Sequence, residues 1–128
     1  MKTIWIVDDD EEMARAIKLM LKLLDCNAVS FLGARPAAQA LLGGQQPDLL
    51  MLDINMPEVS GLDMLEFVRR RKEWKDLPVI MLSTEAADVT VDKAMALGAD
   101  GYVMKPATID ELEKALNNAL QKHQKGSF

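Results

Sequence analysis

The stretch Ile4-Trp5-Ile6-Val7-Asp8-Asp9-Asp10 sets the reading of this chain, and Leu49-Leu50-Met51-Leu52-Asp53 repeats its pattern of an apolar run ending in acid. Strands covered by helices on both faces are apolar throughout, so both runs read as buried parallel strands. In an open parallel sheet, ligands gather beyond the carboxyl ends of the strands. The chain is therefore expected to bring at least three carboxylates to one mouth. Two unit charges about 5 Å apart repel by roughly 3 kcal/mol at an effective dielectric near 20. Such a cluster calls for a cation, and a hard divalent ion with oxygen ligands is the first candidate.

Working outward from these runs, strand-like and helix-like stretches alternate five times, without an internal repeat or a low-complexity linker. A helix is predicted from Glu11 to Leu24, with Asp10 as its N-cap and Met13, Ile17, Leu21 and Leu24 at helical spacing. A short strand over Asn27 to Phe31 precedes a helix near Ala37 to Leu42 that Gly43-Gly44 ends. After Asp53 the loop holds Pro57 and Gly61, and a helix over Leu62 to Arg71 turns Leu62, Leu65 and Val68 inward. Pro78 opens a fourth strand, Val79 to Leu82, where a missing N–H is tolerated. An Ala-rich helix over Asp88 to Leu97 stops at Gly98, and a fifth strand runs from Gly101 to Met104. Thr108 and Glu111 form a capping box for a last helix whose inner stripe is Ile109, Leu112, Leu116 and Leu120. Five such units predict an α/β fold with a doubly wound, five-stranded parallel sheet.

Bulk properties narrow the function. At 128 residues the chain is one domain, and its 49% apolar and 27% charged residues are ordinary for a globular protein. A net charge of -5 argues against a nucleic-acid surface. The basic run Arg69-Arg70-Arg71-Lys72 is expected to complement the dipole at a helix end. One cysteine, Cys26, cannot form an internal disulfide and fits a reducing compartment. No apolar run approaches the roughly 20 residues of a membrane span. Only four apolar residues follow Met1-Lys2-Thr3 before the acids, which is no signal peptide, so a cytoplasmic location is expected. His123 is expected to be solvated, and the nine methionines to be core filler.

Four strand ends deliver polar residues to the same mouth: Asp8 and Asp9, Asp53, Ser83, and Lys105. Asp9 and Asp53 have the chemistry to ligate magnesium directly, with Asp8 holding a coordinated water. Asp53 is a candidate nucleophile, because a carboxylate can form an aspartyl phosphate. Lys105 and the Ser83 hydroxyl are suited to the remaining phosphoryl oxygens, and in-line transfer needs little beyond positioning and charge stabilisation.

These residues resemble the receiver domain of two-component response regulators, including chemotaxis regulators. The resemblance covers nearly the whole chain through Val7-Asp8-Asp9, Asp53-Ile54-Asn55-Met56-Pro57 with Gly61, Leu82-Ser83-Thr84-Glu85-Ala86, and Gly101-Tyr102-Val103-Met104-Lys105-Pro106. It implies a flavodoxin-like three-layer α/β/α fold with strand order 2-1-3-4-5. The implied extent is a receiver domain over residues 1–123 with a tail over 124–128. It implies that Asp53 accepts phosphate from a sensor histidine kinase or histidine phosphotransfer protein. Asp8, Asp9, Asp53 and the Asn55 main-chain carbonyl would hold Mg²⁺, Lys105 would contact the phosphate, and Ser83 and Tyr102 would form the switch pair. Ser83 stands where the family commonly has Thr, and without the methyl group its coupling to Tyr102 is expected to be looser. A cis bond before Pro106 is also implied.

The resemblance further implies a signalling domain that catalyses only its own phosphoryl transfer and autodephosphorylation. Phosphorylation would switch the surface of the fourth helix, fifth strand and fifth helix. A downstream protein target or an output domain removed from the chain would read it, and a phosphorylation-dependent dimer is a further expectation.

Three rivals differ in chemistry. A phosphatase with an aspartate nucleophile needs a general acid two residues beyond it; Asn55 cannot serve there, although Asp10 does lie two beyond Asp8. A nucleotide- or flavin-binding module needs backbone amides in a Gly- or Ser-rich turn, where this chain has the repelling Asp8 to Glu12. A phosphate-independent docking surface would not need the full set of Asp9, Asp53, Ser83 and Lys105.

Overall fold

A computed structural model describes residues 1–84 and 87–126. Glu85 and Ala86 of the fourth-strand motif, and Ser127 and Phe128 of the tail, lie outside the described residues. Five strands, β1 (Thr3–Val7), β2 (Asn27–Phe31), β3 (Leu49–Asp53), β4 (Val79–Ser83) and β5 (Gly101–Met104), form one parallel sheet in the order β2-β1-β3-β4-β5. Five α-helices alternate with them: α1 (Glu11–Leu23), α2 (Ala34–Leu42), α3 (Gly61–Arg70), α4 (Asp88–Ala96) and α5 (Ile109–Lys122). A single 3₁₀ turn at Lys72–Trp74 follows α3.

Every residue of β3 and β4 is buried, which is why those strands are apolar without alternation. The sheet divides the core in two. Ile4, Ile6, Met51, Ile80 and Leu82 face Ile17 and Leu21 of α1 and Leu112, Leu116 and Leu120 of α5. Trp5, Val7, Leu50, Leu52 and Met81 face α2 and α3, with Trp74 and Leu77 closing the far end.

The caps follow the sequence. Asp10 accepts from Glu12 N and Met13 N, and Thr108 with Glu111 makes a capping box at α5. Ser60 and Asp63 make a second capping box at α3, which is not among the expected signals. Gly98 ends α4 at φ 107, a conformation only glycine adopts without strain. The clearest boundary difference is α2, which starts three residues earlier than predicted, at Ala34. Pro36 sits in its first turn, where its missing N–H has no intrahelical partner to lose, so it does not delay the start.

Two expectations are corrected. His123 is not solvated: its side chain is 14% exposed, with Nε2 2.9 Å from Asp100 Oδ1 but off hydrogen-bonding geometry. It caps α5, whose last turn folds back over the start of β5. Arg69 is more than a charge near the α3 dipole. It donates from Nε to Gly98 O, from Nη1 to Trp74 O and Leu77 O, and from Nη2 to Asp100 Oδ2. The run Arg69–Lys72 therefore splits into one buried hub and three surface residues. Among the described residues, no helix is long and apolar enough to cross a membrane.

Candidate functional site at the carboxyl edge of the sheet

The turn after β1 and the ends of β3, β4 and β5 meet at one edge of the sheet. Asp8 follows β1 and is fully buried; Asp53 is the last residue of β3 and nearly so. Asp9, between them in the turn, is exposed. One carboxylate oxygen from each of Asp8, Asp9 and Asp53 lies within 4.8 Å of the others. The Asp8 carboxylate is held by the Asp10 backbone N–H, which donates to Oδ1 at 2.9 Å.

Lys105 follows β5 and reaches across the mouth, Nζ lying 3.0 Å from Asp8 Oδ2 and 3.2 Å from Asp53 Oδ1. Lys105 N donates to Ser83 O at 2.8 Å, which ties its backbone to the end of β4. The Lys105–Pro106 peptide bond is cis. Ser83 ends β4 fully buried, and Tyr102 of β5 is half-buried against the core. Asn55 is exposed in the loop after β3. Asp8, Asp9, Asp53, Asn55, Ser83 and Lys105 thus lie on the strand ends or loops of this one edge, while Tyr102 sits within β5, level with Met81 of β4.

The electrostatics are unbalanced. One ammonium faces three carboxylates. Burial first, and then the Asp8 charge, push the Asp53 carboxyl up from 3.8 to about 6, against the pull of Lys105. Burial draws Lys105 down, but its hydrogen bond to Asp8 and the charges of Asp53 and Asp8 outweigh that and raise it overall. Three hard oxygen donors around an exposed opening match what Mg²⁺ requires, since that ion keeps several waters and takes one or two carboxylates. The donor set fits the metal implied by the fold.

Gly61 contributes what no motif spells out. Its N–H donates to Ile54 O, and a Cβ built there would lie 2.2 Å from Asp53 O and 2.8 Å from Asp53 C. The start of α3 is thereby pressed against the backbone that carries Asp53, and the absence of a side chain makes that approach possible. Asp10, the acid two beyond Asp8, is committed to capping α1 through Glu12 N and Met13 N. It is not aimed as a general acid.

Comparison with known proteins shows the family and the fold. Residues 4–117 match the family model of the response regulator receiver domain. The chain belongs to that family. It is 35% identical to a chemotaxis protein CheY homolog of Campylobacter jejuni, over 90% of this chain and 89% of that one. It is 38% identical to a protein-glutamate methylesterase/protein-glutamine glutaminase of Trichodesmium erythraeum, where the match takes in 88% of this chain and only 32% of that protein. Among solved structures, the Vibrio cholerae chemotaxis protein CheY4 superposes with a TM-score of 0.84 at 27% identity, covering 94% of this chain and 99% of that one. The class is a signalling receiver domain, and the same module occurs alone and as part of longer proteins.

Proposed function

We propose that the chain is a phosphorylation switch in which Asp53 takes a phosphoryl group from a phosphohistidine of a sensor histidine kinase or histidine phosphotransfer protein. The observation that carries this reading is the cluster of Asp8, Asp9 and Asp53 with Lys105 between Asp8 and Asp53. In the transfer the N–P bond of the phosphohistidine breaks as an Oδ–P bond to Asp53 forms, and the imidazole nitrogen recovers a proton. Mg²⁺ held by Asp8, Asp9, Asp53 and the Asn55 main-chain carbonyl supplies, when bound, positive charge against the phosphoryl oxygens. Lys105 gives up part of its pairing with Asp53 and donates to a phosphoryl oxygen, while the Ser83 hydroxyl donates to another. Asp8 holds Lys105 in place as it does so. Autodephosphorylation is the same chemistry with water as the acceptor.

The readout lies across α4, β5 and α5. A phosphoryl group brings about two negative charges and three acceptors to the mouth. Movement of Ser83 toward it leaves room behind β4 for Tyr102. Helix α4 buries only Ala94 and exposes Val89, so it is the helix least anchored to the core. A downstream protein or an output domain reads its changed surface. Residues 1–123 make up the domain, 124–128 a tail, and the cytoplasm is the compartment where such a kinase acts.

Intact mass after treatment with acetyl phosphate tests the chemistry. One phosphoryl adduct is expected with Mg²⁺ and none with EDTA or in Asp53→Ala. Equal labelling of Asp53→Ala would overturn the assignment. Hydrogen exchange with beryllofluoride, an acyl-phosphate mimic, tests the switch: α4 amides are expected to change, and an unchanged α4 would remove it from the mechanism.

A further inference from the structure

The sheet has two edges, and the β2 edge carries features that the phosphoacceptor site does not use. Among the described residues β2 pairs only with β1. Asn27 N donates to Lys2 O, and Phe31 O accepts from Asp8 N, so the odd-numbered residues 27, 29 and 31 make the ladder to β1. In a parallel ladder the alternate residues turn the other way. The N–H and C=O groups of Ala28 and Ser30 therefore point out of the sheet.

The space beside that edge is open. Ala28 and Ser30 are small, and their side chains lie on the α1 face of the sheet, opposite Ile4 and Ile6. Between them and α1 runs a groove of about 980 Å³, with Leu32 at one end. Arg15, Lys18 and Lys22 line its helical wall at i, i+3 and i+7, one stripe of α1. All three are exposed, and none has an ion-pair or hydrogen-bond partner among the described residues. The acids that line the groove, Glu11 and Asp25, sit at its two ends, at the start of α1 and beyond its finish. In a chain of net charge -5, this is a local concentration of unpaired positive charge beside unpaired backbone.

We propose that the β2 edge and the α1 cations form a docking groove for an extended acidic segment of a partner protein, which adds to the sheet as a sixth strand. Backbone pairing with Ala28 and Ser30 supplies the register, and carboxylates at alternate positions of the incoming strand meet Arg15, Lys18 and Lys22. A second copy of this chain is disfavoured as the occupant. Two β2 edges paired about a two-fold axis would bring the two cationic stripes together, and charge beside an edge strand is a common guard against self-pairing. The inference stands independently of the Asp53 chemistry, because its residues lie outside the acidic mouth.

The test uses the whole chain and a fluorescein-labelled peptide of alternating Glu and Thr, with a Lys-for-Glu peptide as control. Saturable anisotropy change is expected for the acidic peptide only, weakening as salt rises and the Debye length shrinks from about 14 Å to about 6 Å. Lys18→Glu with Lys22→Glu should weaken binding by at least about tenfold through lost charge complementarity. Ser30→Pro removes an outward N–H without touching the β1 ladder and should do the same. Both variants should keep the parent's circular dichroism spectrum and cooperative thermal melt, which shows that they are folded. Hydrogen exchange at the Ala28 and Ser30 amides should slow on binding. Absence of binding, binding indifferent to Ser30→Pro, or binding that leaves those two amides unprotected would overturn the proposal. So would a dimer in sedimentation that the Ser30→Pro variant abolishes.

Discussion

The molecule buries charge at both ends of its sheet, and the two clusters are built on opposite principles. At the carboxyl end, Asp8, Asp9 and Asp53 cluster, and Lys105 pairs with Asp8 and Asp53. At the amino end, Arg69 has four acceptors: Gly98 O, Trp74 O, Leu77 O and Asp100. Asp100 in turn takes the Val79 N–H, and His123 closes over it. Arg69 Nε, Nη1 and Nη2 all find acceptors, so the second cluster acts as a clamp joining α3, the α4–β5 turn, the start of β4 and the end of α5. The first cluster is left with surplus acid. An unbalanced buried cluster is poised to take up a cation and a phosphoryl group; a balanced one holds the fold together.

Breaking the clamp should have the largest effect on stability. Arg69→Met leaves Asp100 buried without its cation, and loss of one partner of a buried pair costs about 3–5 kcal/mol. Urea denaturation should show that loss, while the folded fraction still labels with acetyl phosphate. An equal loss of labelling in the folded protein would mean that the two ends are coupled rather than separate.

The acidic mouth should respond in the reverse direction. Asp53→Asn is expected to stabilise the metal-free protein at pH 7.5, by up to about 3 kcal/mol for a carboxyl moved from 3.8 to about 6. The sign follows from linkage. Between about pH 4 and 6 the folded chain holds on Asp53 a proton that the unfolded chain has released, so stability falls as pH rises through that window. The gain from Asp53→Asn should therefore be complete above pH 6 and vanish near pH 4, as thermal melts across that range would reveal. Asp8 still pairs Lys105 in the variant. A gain that does not depend on pH would show that Asp53 carries no such burden, and saturating Mg²⁺ should erase the difference.

Smaller effects sharpen the contrast. Gly61→Ala puts a methyl against the Asp53 carbonyl and forces backbone to move, at about 1–3 kcal/mol. It should slow acyl-phosphate formation as well as lower the melting temperature, since the strained backbone carries the nucleophile. Asp10→Ala removes only the α1 cap, worth about 1 kcal/mol, and should leave labelling intact because the Asp10 N–H still supports Asp8. A change in labelling of Asp10→Ala that exceeds this stability loss would bring the Asp10 carboxylate into the site.

The acidic mouth was legible because each of its residues follows an apolar run, and strand direction carries them all to one edge. Its pairing was not legible: Lys105 looked like a phosphate ligand, whereas its resting partners are Asp8 and Asp53. The clamp was invisible for a related reason. Residues 69, 74, 77, 98, 100 and 123 share no local pattern, and Arg69 within a basic run is indistinguishable from its exposed neighbours until the α4–β5 turn packs over it. His123 looked like a tail residue because nothing nearby in sequence reports that α5 ends over Asp100.

By itself, the sequence determined the five alternating units, the parallel sheet, the caps at Asp10 and Thr108, and the chemistry gathered at the strand ends. Those are consequences of periodicity and residue type, which act over a few residues. Tertiary structure decided which charges are balanced and which are left over, how close Gly61 comes to Asp53, and that the β2 edge lies open beside an unpaired cationic stripe. Those depend on contacts between distant segments, where the folded geometry alone fixes what each polar group meets.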